Sequence, residues 1–228
     1  MAAEVSTPPD RLLQVAEKIE KEKLFKAEHF CLPGRQLSKG SQYPGLIVPL
    51  PPWFYRQIIE GRIAKDADCL PPKWIILDVS RRPDYDDGKQ MYQDSEGLGD
   101  ILADLRGQGK VEVPDCYRRV LRNSRFAVSA DEIDGKGGFV ANAVASVLSL
   151  QAGEQVTTSP YVVFNYIGNL AYPEFGQANT LEWFADEFWH GYRLAGGLAC
   201  VGSWRSGFPD DYVGFRLQIS FPSLVQER

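Results

Sequence analysis

Histidine is nearly missing from this chain: His29 and His190 are the only two among 228 residues. A metal site built on three neutral imidazoles cannot be assembled from two. The four cysteines, Cys31, Cys69, Cys116 and Cys200, stand far apart and form no CxxC pair. That spacing excludes a zinc ribbon and a small disulfide framework, and leaves reduced thiols as the expectation. No apolar stretch approaches the length of a membrane span. The opening "MAAEVSTPPDRLLQ" has neither the basic flank nor the apolar run of a secretion signal, so an intracellular location is the default expectation. Clustered basic residues are scarce as well. With 25 Lys and Arg against 30 Asp and Glu, the net charge of −5 argues against nucleic acid or an anionic membrane as partner. Two short basic runs, "RRP" at 81–83 and "YRRVLRNSR" at 117–125, read as solvated faces.

What is present is an ordinary globular composition, 44% hydrophobic and 24% charged, over a length that can bury a substantial core. In "TPPDRLLQVAEKIEKEKLFKAEHF", Pro8, Pro9 and Asp10 form a helix start, and Leu12, Leu13, Ala16, Ile19 and Leu24 recur at near-helical spacing. Residues 1–30 are therefore expected to carry an N-terminal helix packed on the main body. Residues 31–53 are broken by prolines and glycines, and "LIVPL" (46–50) is the one candidate strand there. "WFYRQIIEGRIAKDA" forms a second helix or turn, and "KWIILDV" (73–79) has the length and character of a central strand. A polar loop follows. Then "LGDILADLRGQG" and "GFVANAVASVLSLQAG" predict short helices, and "YVVFNYIGNL" (161–170) begins as a strand. Helices and strands mix without a βαβα rhythm and without an internal repeat, so the fold class is α+β in a single domain spanning 1–228.

The segment 179–220, "NTLEWFADEFWHGYRLAGGLACVGSWRSGFPDDYVGFRLQIS", carries an ordered series of anchors. Leu181-Glu182-Trp183 comes first, followed by Gly196-Gly197, Gly202-Ser203-Trp204 and Gly214-Phe215-Arg216-Leu217. "VGFRLQI" alternates Val213, Phe215, Leu217 and Ile219 with Gly214, Arg216, Gln218 and Ser220, the pattern of one half-buried strand. This series resembles the closing region of the formylglycine-generating-enzyme branch of the C-type lectin fold, where the wording is close to "GNVWEW…RGGSW…GFRL". With "RRPDYDDGKQMY", "SRFAVSADE" and "FNYIGNLAYPEFGQANTLEWFADEF" upstream, it is similar to the variable proteins of diversity-generating retroelements. The likeness covers roughly residues 74–220. It implies a C-type lectin fold of that branch, with a C-terminal surface rewritten by a reverse transcriptase that miscopies adenines.

An asparagine codon randomised at its adenines yields residues such as Phe, Ser, Tyr, Cys, His, Arg, Gly and Asp, and never Lys, Glu, Gln, Met or Trp. Residues 188–217 contain no Lys, Glu, Gln or Met. The resemblance therefore implies a ligand-binding set of Phe188, His190, Tyr192, Arg193, Cys200, Ser203, Arg205, Ser206, Gly207, Phe208, Asp210, Asp211 and Tyr212. Trp183, Trp189, Trp204, Phe215 and Arg216 would be supporting scaffold. Aromatic residues and Arg give contact area with a polar handle, while Ser, Gly and Asp give adaptable hydrogen bonds. A protein ligand is expected, because the set spreads over several loops, and the chain is expected to be a monomer. No catalytic residue, cofactor or metal is expected. Two alternatives are weighed beside this reading. One is a formylglycine-generating-type oxidoreductase, which needs paired cysteines where this region offers only Cys200, or a Cys200–His190 nucleophile pair. The other is a calcium-dependent sugar lectin, whose Glu-Pro-Asn and Trp-Asn-Asp motifs are absent.

Overall fold

The apolar run at 73–79 is the centre of the main sheet. In the computed structural model, which describes residues 7–80, 96–117, 119–173, 175 and 181–222, it forms strand β4 (Trp74–Asp78). Its neighbours are β1 (Ala27–Cys31) on one side and β10 (Leu217–Ser220) on the other, with β5 (Gln155–Thr158) beyond β10. All three pairings are antiparallel, with His29 and Ile219 both in register with Ile76. A two-stranded ribbon joins β2 (Arg35–Gln36) to β3 (Cys69–Leu70). The third sheet has the order β8-β7-β6-β9, from β6 (Leu181–Phe188), β7 (Tyr192–Gly196), β8 (Val201–Arg205) and β9 (Val213–Phe215). With six α-helices among the described residues, this is a mixed α+β fold.

Side chains alternate across these strands and divide the interior in two. Ile76, Trp183 and Ala195 enter one cluster, whereas Ile75, Leu77, Phe184 and Leu194 enter the other. The first half-core is closed by α1 (Asp10–Lys21), α3 (Glu96–Gly107) and α5 (Phe139–Leu148) through Leu12, Ile19, Leu102 and Val144. The second is closed by α2 (Pro52–Ile59) and α6 (Tyr161–Ala171) through Phe54, Phe164 and Ile167. A single turn of helix, α4 (Ala130–Ile133), is set by a capping box in which Ser129 and Glu132 bond each other's backbone N–H.

Several expectations need correction. The segment 161–170 is helix α6, not a strand. Pro160 pre-sets its N-terminus, and residues Tyr161–Asn165 are buried in succession, which erases the amphipathic period that marks a helix. "VGFRLQI" is two strands in two different sheets, β9 and β10, parted at Arg216, and both of its faces are buried. "LIVPL" forms no strand; the N–H groups of Ile47 and Val48 both donate to Asn169 Oδ1, each at 2.7 Å. The segment 1–30 is more than a packed helix, since β1 begins at Ala27 and joins the main sheet. The polar loop expected after β4 lies largely at 81–95, outside the described residues.

The parting at Arg216 has an electrostatic cause. Its Nε donates to both Glu182 oxygens at 3.1 and 2.9 Å, and its Nη1 donates to Ser80 O at 2.6 Å. The guanidinium also lies 4.1 Å over the Phe175 ring. Arg125, in the run expected to be a solvated face, is likewise buried and ion-paired with Asp78. Removing one partner of such a pair strands a charge in low dielectric. Glu182→Ala is therefore expected to cost about 3–5 kcal/mol, read as a fall of roughly 10 °C in the melting temperature of a domain this size.

Candidate functional site

The loop end of the third sheet brings together two stretches well separated along the chain. Between β6 and β7 the chain turns through Trp189, His190 and Gly191, with His190 and Gly191 in the left-handed region at φ 59° and 78°. Between β8 and β9 it runs from Ser206 to Tyr212. Ser206 locks these stretches together: its N–H and its hydroxyl both donate to Gly191 O at 3.0 Å, and its own carbonyl accepts from Asp131 N–H. The far end of the loop is held by Asp210 O, which accepts from Ala127 N–H at 2.9 Å, and by Tyr212 O, which accepts from Leu181 N–H. Between these clamps Phe208 stands 66% exposed.

An open pocket of about 350 Å³ lies against this junction, lined by His190, Tyr192, Arg205, Ser206, Gly207 and Phe208 together with Asp131 and Lys136. Tyr192 and Arg205 are in register across β7 and β8, and Arg205 Nε donates to the Tyr192 hydroxyl at 3.4 Å. Asp211 and Tyr212 are exposed beside the partly buried Asp210, whose carboxyl is pushed up chiefly by burial. A second and wider cleft of about 1150 Å³ opens on the other side of the turn. Residues 185–191 form one wall, and Arg35, Arg62, Ala64, Asp66 and Cys69 lie on the facing ones. His190 and Gly191 border both spaces. Phe188 stacks on Trp53 at 6.0 Å, and Trp189 N–H donates to Arg62 O at 3.1 Å.

Not every nominated residue is at this surface. Arg193 is buried, ion-paired with Asp134 and donating to Thr158 Oγ1 at 3.1 Å, so it belongs to the framework. Ser206 is buried by its clamping role. Ser203 sits in the middle of edge strand β8. Cys200 is exposed, but it lies in the β7–β8 turn, at the opposite end of β7 from His190. Five residues of strand span about 13 Å, so the two do not form a thiol–imidazole pair. Trp189, expected as scaffold, is 58% exposed, with its ring 4.0 Å from that of His190. Trp183 and Phe215 are core, as their apolar pattern implied, and Trp204 is only partly buried. Gly196 is required by the turn, because a Cβ there would fall 2.2 Å from Cys200 O.

Sequence reasoning did not nominate Asp131, Lys136, Arg62 or Asp186. Lys136 lies within the glycine-rich turn "DGKGG" (134–138) and Asp131 just before it, a legible signal, whereas nothing local marks Arg62 or Asp186. Asp186 lies in the wide cleft, partly buried, with Oδ2 accepting from Tyr161 N–H at the start of α6 at 2.6 Å. Burial pushes its carboxyl up to about 6. Among the described residues no group of three or more His, Cys, Asp or Glu is placed to hold a metal ion. No helix among them is long and apolar enough to cross a membrane. Comparison with family models, curated proteins and solved structures gives no match.

Arg193→Ala should cost about 3–5 kcal/mol by leaving Asp134 unpaired, whereas Phe208→Ser and Asp211→Ala should each change stability by no more than about 0.5 kcal/mol. Chemical denaturation of the three variants would check the contrast. For Asp186, a folded value near 6 against an ordinary 3.8 means that the folded chain holds this proton more tightly. Its contribution is present below about pH 4 and is lost as pH rises through about 6. Asp186→Asn retains an acceptor for Tyr161 N–H without the charge. Relative to wild type its stability should therefore rise across that window, by on the order of 2 kcal/mol once partial exposure is allowed for.

Proposed function

We propose that this chain is a ligand-binding protein whose recognition surface is the loop end of the third sheet. The observation that carries the reading is the convergence of His190, Tyr192, Arg205, Ser206, Gly207 and Phe208 on one pocket. They come from a turn, a loop and the adjoining ends of β7 and β8, which the chain joins through Ser206. Exposed Trp189, Phe208, Arg205 and Tyr212 supply the large, partly polar contact groups from which interfaces draw their binding energy. The framework beneath is held by buried ion pairs and needs none of these side chains, so they can be exchanged at little cost in stability.

The resemblance to retroelement variable proteins completes the proposal. On this reading the fold is of the C-type lectin type, and adenine-directed copying rewrites the accessible subset: the exposed His190, Arg205, Gly207, Phe208, Asp211 and Tyr212 with the half-buried Tyr192. Support comes from where the motif residues fall. Glu182, Trp183, Gly196, Gly202, Trp204 and Gly214–Phe215 all lie on the one sheet that ends in this surface, and Arg216 closes it onto Glu182. The protein acts as a binder rather than an enzyme, with a protein ligand and no cofactor. Neither the oxidoreductase nor the calcium-lectin alternative draws support from a particular feature of the described residues.

The DNA beside the gene tests this. A near-copy of its last hundred or so bases, differing mainly at adenines and adjoining a reverse-transcriptase frame, is the expected finding. The codons that differ should be those of this accessible subset and not that of Arg193. A flanking sequence without such a copy would remove diversification from the proposal.

A further inference from the structure

We infer that the narrow pocket takes an acidic side chain of an extended polypeptide partner, whose adjoining residues cross the His190–Gly191 turn into the wide cleft. The inference rests on the recognition reading above and adds the chemistry of what is recognised.

Charge is the first argument. Lys136 and Arg205, both exposed, line the narrow pocket against the single carboxylate of Asp131. The whole chain carries −5, so this is a local excess of cations on a negative body. An approaching carboxylate is repelled over most of the surface and drawn in here, which sets both encounter rate and register. The wide cleft has the opposite balance. Its two arginines are already engaged, Arg35 over the rings of Tyr43 and Tyr166, and Arg62 with Glu60. Lining the same cleft are three carboxyl groups, Asp66, Asp186 and Glu187. The acidic residue of the partner therefore belongs at the narrow end, with uncharged or basic residues in the wide cleft.

Shape is the second argument. About 350 Å³ suits one or two side chains, and the space continues past His190 and Gly191 into about 1150 Å³. A small free anion would fill the first and leave the second empty. It would also leave uncovered the exposed aromatic faces of Trp189 and Phe208, which stand at the rims of the two spaces. The lining of the wide cleft includes small residues, Gly61, Ala64, Ala67 and Ala185, which leave room for a main chain to pass.

The test is selection of a displayed random dodecapeptide library on the full chain. Enriched peptides are then titrated against wild type and three variants: Gly207→Trp, which fills the narrow pocket; Lys136→Glu with Arg205→Glu, which reverses its charge; and Ala64→Trp, which obstructs the wide cleft. All positions changed at the narrow pocket are exposed, and melting curves establish that each variant is folded. The expected result is peptides carrying Asp or Glu, weakened about tenfold or more by the charge reversal and by Ala64→Trp. Peptides that lose binding on Gly207→Trp but carry no acidic residue, or ignore the reversal, would overturn the acidic partner and leave recognition at this surface standing. Peptides sensitive to the reversal but indifferent to Ala64→Trp would overturn the extended track. Peptides indifferent to Gly207→Trp would overturn this inference and the recognition reading together.

Discussion

Three arginines shielded from water hold this fold in its arrangement. Arg125 reaches Asp78 across 47 residues of sequence, Arg193 reaches Asp134 across 59, and Arg216 reaches Glu182 across 34. A guanidinium tolerates such an interior only where its charge is met, and these three are bonded further by Phe215 O, Thr158 Oγ1 and Ser80 O. Pairs of this kind add little net energy over well-packed apolar residues. What they set is geometry, because a planar fork bonds well in few orientations. Arg216 shows the consequence most directly: the bonds of its side chain to Glu182 and to Ser80 O mark the point where one apolar run leaves the third sheet and enters the first.

That constraint separates two tasks that would otherwise compete. The third sheet is fastened from beneath by Arg193 and Arg216, and its loop end is fastened to itself by Ser206. Side chains that project from the loop end therefore carry almost none of the folding energy. The N-terminal third, which offers no motif, shapes that end from the side. Through Arg62 O and the ring of Trp53 it steadies the Phe188–Trp189 corner, and it supplies the facing walls of the wide cleft.

The legible parts of the chain were those with a period or a punctuation mark. Leu12, Leu13, Ala16 and Ile19 announce α1, and "KWIILDV" announces the central strand. The glycine and tryptophan anchors of 181–217 announce a rigid framework with binding-type residues between its anchors. α6 was hidden because burial on all sides removes its amphipathic stripe, and its β-branched and aromatic residues carry strand propensity. The alternation across 213–219 looked continuous because nothing local reports that Arg216 is pulled inward by partners far away. For the same reason Arg193 was indistinguishable from its neighbours, the half-buried Tyr192 and the exposed Arg205. An arginine's fate depends on whether a distant carboxylate waits for it, and Asp134 stands in a glycine-rich turn with no mark of that role. Lys136 in the same turn was open to discovery; Arg62 and Asp186 were not.

His190 sits at the corner shared by both spaces, with a backbone that most side chains resist. Whatever mechanism alters that codon, the main chain will censor its output. Asparagine, aspartate and glycine adopt such a shape readily, whereas valine, isoleucine and threonine, stiff at the β-carbon, distort it. The substitutions tolerated there are fewer than the genetic code permits, and those excluded are the ones that would bend the corner between the two spaces.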